Sequence, residues 1–99
     1  MNDLTVLSIL MQGDRYGLEI IKAAKEVGLS LFLGSLYNIL KRLEKHGLVE
    51  SYWGEDTSER GGNRRRYYKI TGKGETTFED AKQSYLQLWG IPKLAQYQI

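Results

Sequence analysis

Four arginines fall within the seven residues Arg60-Gly61-Gly62-Asn63-Arg64-Arg65-Arg66, and Tyr67-Tyr68 follows directly. Like charges crowd there, and an anionic partner relieves the repulsion. Arginines beside a Gly-Gly turn can lie against a nucleic-acid backbone or enter a narrow minor groove, where the potential is most negative. The glycines add no side-chain bulk, so the tip can approach closely. The bland alternative is a solvated hairpin whose arginines pair with Glu55, Asp56 and Glu59.

Other chemistries find little support. The chain has no cysteine and one histidine, His46. Disulfides, thiolate metal sites and cysteine nucleophiles are therefore excluded. His46 has no second histidine for a metal site. It stands in the last turn of a helix, where a cation suits the helix dipole. Asp14 with Glu19, and Glu55 with Asp56, are carboxylate pairs, but nothing marks a buried site around them. Gly61-Gly62 and Gly72-x-Gly74 lack the strand, glycine loop and helix order of a phosphate cradle. Neither an enzyme nor a metal or cofactor is expected.

The chain of 99 residues is 41% hydrophobic and fits one small domain. So short a chain buries a modest fraction of its surface, which favours extra burial in a homodimer. No apolar run approaches the roughly 20 residues of a membrane span. There is no signal-type N-terminus, so a cytoplasmic protein is the default expectation. The net charge is only +2, but its distribution says more. Residues 55–73 carry six cations against three anions, and residues 34–46 carry three against one. The stretches 1–33 and 74–99 are each net −1. The basic excess sits mid-chain, as expected of a binding face.

The elements that would position these charges follow from periodicity. Leu4, Leu7, Leu10 and Met11 predict a helix over about 2–12. Asp14 can cap a second helix over about 15–27, with Gly17, Ile20, Ile21, Ala24 and Val27 inward and Gly28 ending it. Leu29-Ser30-Leu31 reads as a short extended piece. Leu36, Ile39, Leu40 and Leu43 predict a third helix over about 33–46, which Gly47 stops. Residues 48–53 and 65–70 alternate as two strands around a polar loop. Tyr67 and Tyr68 face opposite sides, and Trp53 reads as core or a sheet-face anchor. Thr71 can cap a last helix over about 72–89, before Gly90 and Pro92. Its residues Phe78, Ala81, Tyr85 and Leu88 follow the 3-4-3 spacing of a helix that pairs with another helix. Together with Trp89 they are expected at a dimer interface. The order of elements predicts a mainly helical α+β fold: a winged helix-turn-helix over 1–71 and a C-terminal dimerisation helix and tail over 72–99.

In such a fold the N-terminal part of the third helix enters the major groove of DNA. Its outward face carries Ser35, Asn38, Lys41, Arg42 and Lys45, with Tyr37 beside the apolar stripe. Asn38 can pair bidentately with adenine and Ser35 can donate or accept; the three cations would reach phosphates. Arg60, Asn63, Arg64, Arg65 and Arg66 would serve the wing. An RNA partner is compatible with interleaved Arg and Tyr, and an acidic protein is a further alternative, but a rigid helix fits duplex DNA better.

Three segments resemble the PadR family of bacterial transcriptional regulators: Tyr16-Gly17-Leu18-Glu19-Ile20, Gly34-Ser35-Leu36-Tyr37-Asn38-Ile39-Leu40-Lys41-Arg42-Leu43, and Arg64-Arg65-Arg66-Tyr67-Tyr68-Lys69-Ile70-Thr71. The family is marked by Tyr-Gly-x-x-Ile, by Gly-Ser/Thr-Leu-Tyr-x-x-Leu-x-x-Leu and by Arg-x-Tyr-Tyr-x-Ile/Leu-Thr. The resemblance implies a dimeric winged-helix repressor in the bacterial cytoplasm, acting on a near-palindromic operator. By this analogy Tyr16 and Tyr37 offer hydroxyls to the DNA backbone. The last helix makes the dimer, with Leu4 and Leu7 of the first helix adding to it. Some relatives bind flat aromatic compounds between subunits; here Phe78, Tyr85 and Trp89 read first as interface packing and second as an effector site. The chain departs from the family at Leu31-Phe32-Leu33, where a polar cap is more usual.

Overall fold

The computed structural model describes residues 2–55 and 64–90. The order of elements is α1 (Asn2–Leu10), β1 (Arg15–Tyr16), α2 (Gly17–Glu26), α3 (Leu33–Lys45), β2 (Val49–Trp53), β3 (Arg66–Ile70) and α4 (Gly72–Trp89). The architecture is mainly helical α+β, a winged helix-turn-helix followed by a long helix. Arg60 and Asn63, at the tip expected to form the wing, lie outside the described residues.

One apolar core joins the first three helices to the sheet. Val6, Leu7 and Leu10 of α1, Ile20 and Ala24 of α2, and Leu36, Leu40 and Leu43 of α3 meet there with Val49 and Tyr68. The 3-4 spacing in each helix puts these residues on one stripe, and burying the stripes against one another fixes how the helices cross. Leu31 reaches the same core from the α2–α3 connection, with no strand around it. Phe32 caps α3 without a side-chain hydrogen bond and is 77% exposed.

The sheet is antiparallel in the order β1-β3-β2, with Tyr16 opposite Tyr67 and Tyr52 also opposite Tyr67. The two-residue β1 lies where the sequence predicts helix. Tyr16 takes the extended N-cap conformation, and its N–H donates to Glu19 Oε1 at 3.1 Å. Asp14 is therefore not the cap; its carboxylate accepts from the Tyr52 hydroxyl at 2.6 Å. Val27 also departs from expectation. It follows the end of α2 and is 72% exposed.

The join between sheet and α4 is tight. Thr71 Oγ1 accepts from Gly74 N at 3.0 Å and donates to the Gly47 carbonyl at 2.6 Å. Lys73 Nζ donates to the His46 carbonyl at 3.0 Å. Beyond this join α4 runs past α1, and Gly74 is the one buried residue of its 18. Its end, Gly90, is left-handed with φ 58°, as a helix-terminal glycine should be.

Candidate nucleic-acid interface

The recognition surface starts from α3. Leu36, Ile39, Leu40 and Leu43 take its inner stripe, so its outer stripe must carry the residues between them. Ser35, Asn38, Lys41, Arg42 and Lys45 are all exposed there. Tyr37 stands at the edge, 45% exposed, against the start of α2. A Cβ placed on Gly17 would come within 2.7 Å of the Tyr37 hydroxyl, so the glycine makes room for that ring. The same turn positions Tyr16, and the two tyrosines named in the sequence are thus brought together.

The strand pairing builds an aromatic column on one face of the sheet. Tyr16 meets Tyr67 edge-on at 5.5 Å between centroids, and Tyr67 stacks on Tyr52 at 5.7 Å. The Arg65 guanidinium lies 4.3 Å from the Tyr16 ring centroid. Ring faces are negative, so they hold this cation in place and orient it. The far end of the column is closed by Asp14. Its hydrogen bond to the Tyr52 hydroxyl, reinforced by desolvation and by its negative charge, pushes the Tyr52 phenol up to about 12. Replacing Asp14 with Asn is expected to lower that value back toward 10, read from phenolate absorbance in an alkaline titration. Because the folded-state value is raised, the Asp14–Tyr52 contribution to stability is present below about pH 10 and lost as pH rises through about 12.

The opposite face of the sheet treats its arginine differently. Arg66 donates to Ser51 Oγ through Nη2 at 2.8 Å and Nε at 3.0 Å, while Ser51 donates to Glu44 Oε2 at 2.8 Å. The Glu44 carboxylate is 3.8 Å from Arg66, and the Trp53 ring lies 5.6 Å from its guanidinium. Arg66 thereby ties the ribbon to α3. Trp53 is a sheet-face anchor rather than core, at 55% exposure. Tyr68 is the inward member of its pair, and burial raises its phenol. Arg64 Nε donates to the Gly54 carbonyl at 3.1 Å. The three described arginines of the tip therefore have distinct settings, and the carboxylate beside Arg66 is Glu44; Asp56 and Glu59 lie outside the described residues.

Arg42 differs again from the expectation of a free cation. Its guanidinium pairs with Asp3 of α1, with Nε at 3.2 Å from Oδ2 and Nη2 on Oδ1. Periodicity in the sequence carries no sign of this contact, since the partners are 39 positions apart. The bonds of Tyr52 to Asp14 and of Arg66 to Ser51, 38 and 15 positions apart, escape it for the same reason.

A separate groove of about 770 Å³ lies between α1, α2 and α4. Leu4, Ile9, Phe78, Tyr85 and Trp89 are among its lining residues, and Tyr85 stacks on Trp89 at 4.9 Å. Leu7, expected at a dimer interface, is instead 3% exposed in the chain's own core. The core takes it because α1 turns that side toward α2 and α3. Leu88 is 76% exposed. Among the described residues no group of acidic and histidine side chains could hold a metal ion, and no helix is long and apolar enough to cross a membrane.

Comparison with known proteins places this geometry in a class. The family described as "Transcriptional regulator PadR-like family" matches residues 6–80. A PadR-like transcription factor of Bacteroides fragilis has a similar structure, with TM-score 0.81 and 32% identity, over 96% of this chain and 89% of that one. A PadR family regulator of Clostridium difficile aligns with TM-score 0.79 and 33% identity, over 98% and 97% of the two chains. An uncharacterised protein of Lysinibacillus sphaericus is 30% identical over 87% of this chain and 79% of its own length.

Proposed function

This chain belongs to the PadR-like family of transcriptional regulators, and from that premise we propose that it binds duplex DNA sequence-specifically as a homodimer and acts as a repressor. The observation that carries the reading is the outer stripe of α3. It presents Ser35, Asn38, Lys41 and Lys45 opposite a fully buried stripe, with Tyr16, Tyr37 and Arg65 grouped beside it. A helix so mounted fits the major groove, and the ribbon beside it reaches the flanking backbone. Ser35 and Asn38 read base edges. Lys41, Lys45, Arg64 and Arg65, with Tyr16 and Tyr37, contact phosphates. Arg66 serves mainly to hold the ribbon at its angle to α3.

The unit 1–71 carries the DNA surface and 72–99 the dimer. Support for the dimer comes from α4, an 18-residue helix with a single buried residue and an exposed Leu88. A second copy of α4, laid against Phe78, Ala81, Tyr85, Leu88 and Trp89 and reaching Leu4 across the groove, would cover those side chains. A planar aromatic effector would meet Tyr85 and Trp89 in the same groove. Two recognition helices related by a two-fold axis would then read half-sites roughly 10 bp apart, in the cytoplasm where the operator lies.

The test is a titration of the chain against its own promoter region over a salt series. The logarithm of affinity should fall linearly and steeply with the logarithm of salt, because each phosphate contact releases counterions. Asn38→Ala should change base preference, whereas removing Arg64 and Arg65 together should weaken all sequences alike. Binding that ignores salt, or no retention of any duplex at low salt, rejects the reading.

A further inference from the structure

The pairing of Asp3 with Arg42 bears on which base the protein reads. The carboxylate takes one edge of the guanidinium, Nε and Nη2, in a two-point contact. Both side chains remain about half exposed, at 43% and 50%. They share a shallow depression with Ser35 and Asn38, on the outer side of α3. Ser35, Asn38 and Arg42 thus form one row at i, i+3 and i+7. At a rise of about 1.5 Å per residue the row is roughly 10 Å long, which spans about three base steps of 3.4 Å.

An arginine held in this way differs from a phosphate-seeking cation. Its charge is balanced by Asp3, and the carboxylate would repel a phosphate brought to the same place. Asp3 is itself in the first turn of α1, where the helix dipole favours a carboxylate and helps to fix it. What remains of the guanidinium is its other edge. Nη1 and the second proton of Nη2 form two parallel donors, the pattern that matches O6 and N7 of guanine. A long, flexible side chain would lose much conformational freedom on reaching a base; Asp3 removes that freedom beforehand.

We propose that Arg42 reads a guanine in each half-site of the DNA, and that Asp3 is the positioning residue that aims it. The inference rests on the DNA-binding reading above and sharpens it, because Arg42, expected from the sequence to reach a phosphate, contacts a base instead. The pair is exposed, and such pairs contribute little to stability, so variants at either position should keep the fold.

The experiment uses the intact chain and the tightest duplex recovered by selection from random sequences. Arg42→Ala should abolish preference at one guanine position, a loss of roughly 5- to 150-fold on the guanine duplex, with the salt slope unchanged. Substituting 7-deazaguanine at that position should reproduce much of the loss in wild type and add nothing in Arg42→Ala. Asp3→Asn should relax the same position and steepen the salt slope by about one, as the freed guanidinium turns to a phosphate. The proposal is overturned if Arg42→Ala lowers the salt slope by about one and scales all sequences equally. It is also overturned if Asp3→Asn tightens binding without changing base preference, the behaviour of a simple competitor for Arg42. Wild-type protein that binds no duplex overturns the DNA-binding reading itself, and this inference with it; either of the other two failures leaves that reading standing.

Discussion

Gly74→Ala is expected to lose on the order of 2 kcal/mol of folding stability, in the range for forcing extra volume into a packed site. A Cβ at this position would lie 2.1 Å from the Leu48 carbonyl oxygen and 2.7 Å from Ile70 Cγ1. The first of these is backbone and cannot swing aside. The start of α4 would have to retreat from the β2–β3 ribbon. That movement strains the bonds that seat it: Thr71 N–H to the Leu48 carbonyl at 3.0 Å, Thr71 Oγ1 to Gly47 and Lys73 Nζ to His46. For a domain of this size 1 kcal/mol corresponds to about 4–8 °C, so thermal unfolding followed by circular dichroism should fall by roughly 10 °C. Gly72→Ala is the control. Nothing lies within 4 Å of a Cβ there, and the substitution should be neutral or slightly stabilising through the unfolded chain. Equal melting temperatures for the two variants would show that α4 is not seated as described.

Leu88→Glu combined with Trp89→Glu is expected to yield a monomer with little operator affinity. Both side chains belong to a helix that the chain itself hardly covers, and Leu88 is 76% exposed. Their loss should therefore leave the fold of one chain intact while placing charges in the proposed interface, where unpaired charge is costly to bury. Once the two recognition helices are no longer linked, the second half-site is no longer engaged intramolecularly. Coupling of this kind multiplies affinity by about 10²–10⁴, and that factor should disappear. Sedimentation velocity and operator titration on the same sample measure both effects. A double variant that sediments as a dimer, or a monomer of undiminished affinity, would remove α4 from the mechanism. The two variants separate the roles of one helix: Gly74 seats its start on the β2–β3 ribbon, and Leu88 and Trp89 belong to the proposed dimer interface.

The family resemblance and the order of elements were legible in the chain because both rest on short segments. Tyr16-Gly17, the row from Gly34 to Leu43 and the Arg-Tyr-Tyr strand can each be read within a dozen residues. The site was legible in part. The stripe of Ser35, Asn38, Lys41 and Lys45 follows from a 3.6-residue period, and Thr71 and Gly90 announce the ends of α4. Asp14 shows where local reasoning stops. It has the residue type and position of a helix cap, yet Tyr52 takes its carboxylate and Glu19 supplies the bond at the start of α2.

The sequence by itself determined the helices, their stops, the paired strands and the concentration of positive charge between residues 34 and 73. Each depends on neighbours within about four positions, the reach of a helical turn or a strand alternation. Only the tertiary structure decided how each cation is used. Arg42 is held by Asp3, Arg65 by the ring of Tyr16, and Arg66 by Ser51 and Glu44. It also decided that Leu7 faces the core and that Arg15–Tyr16 adds a third strand. Such contacts join positions 15 to 53 residues apart. Their direction is set by how the helices cross and by the register of the strands, and periodicity records neither.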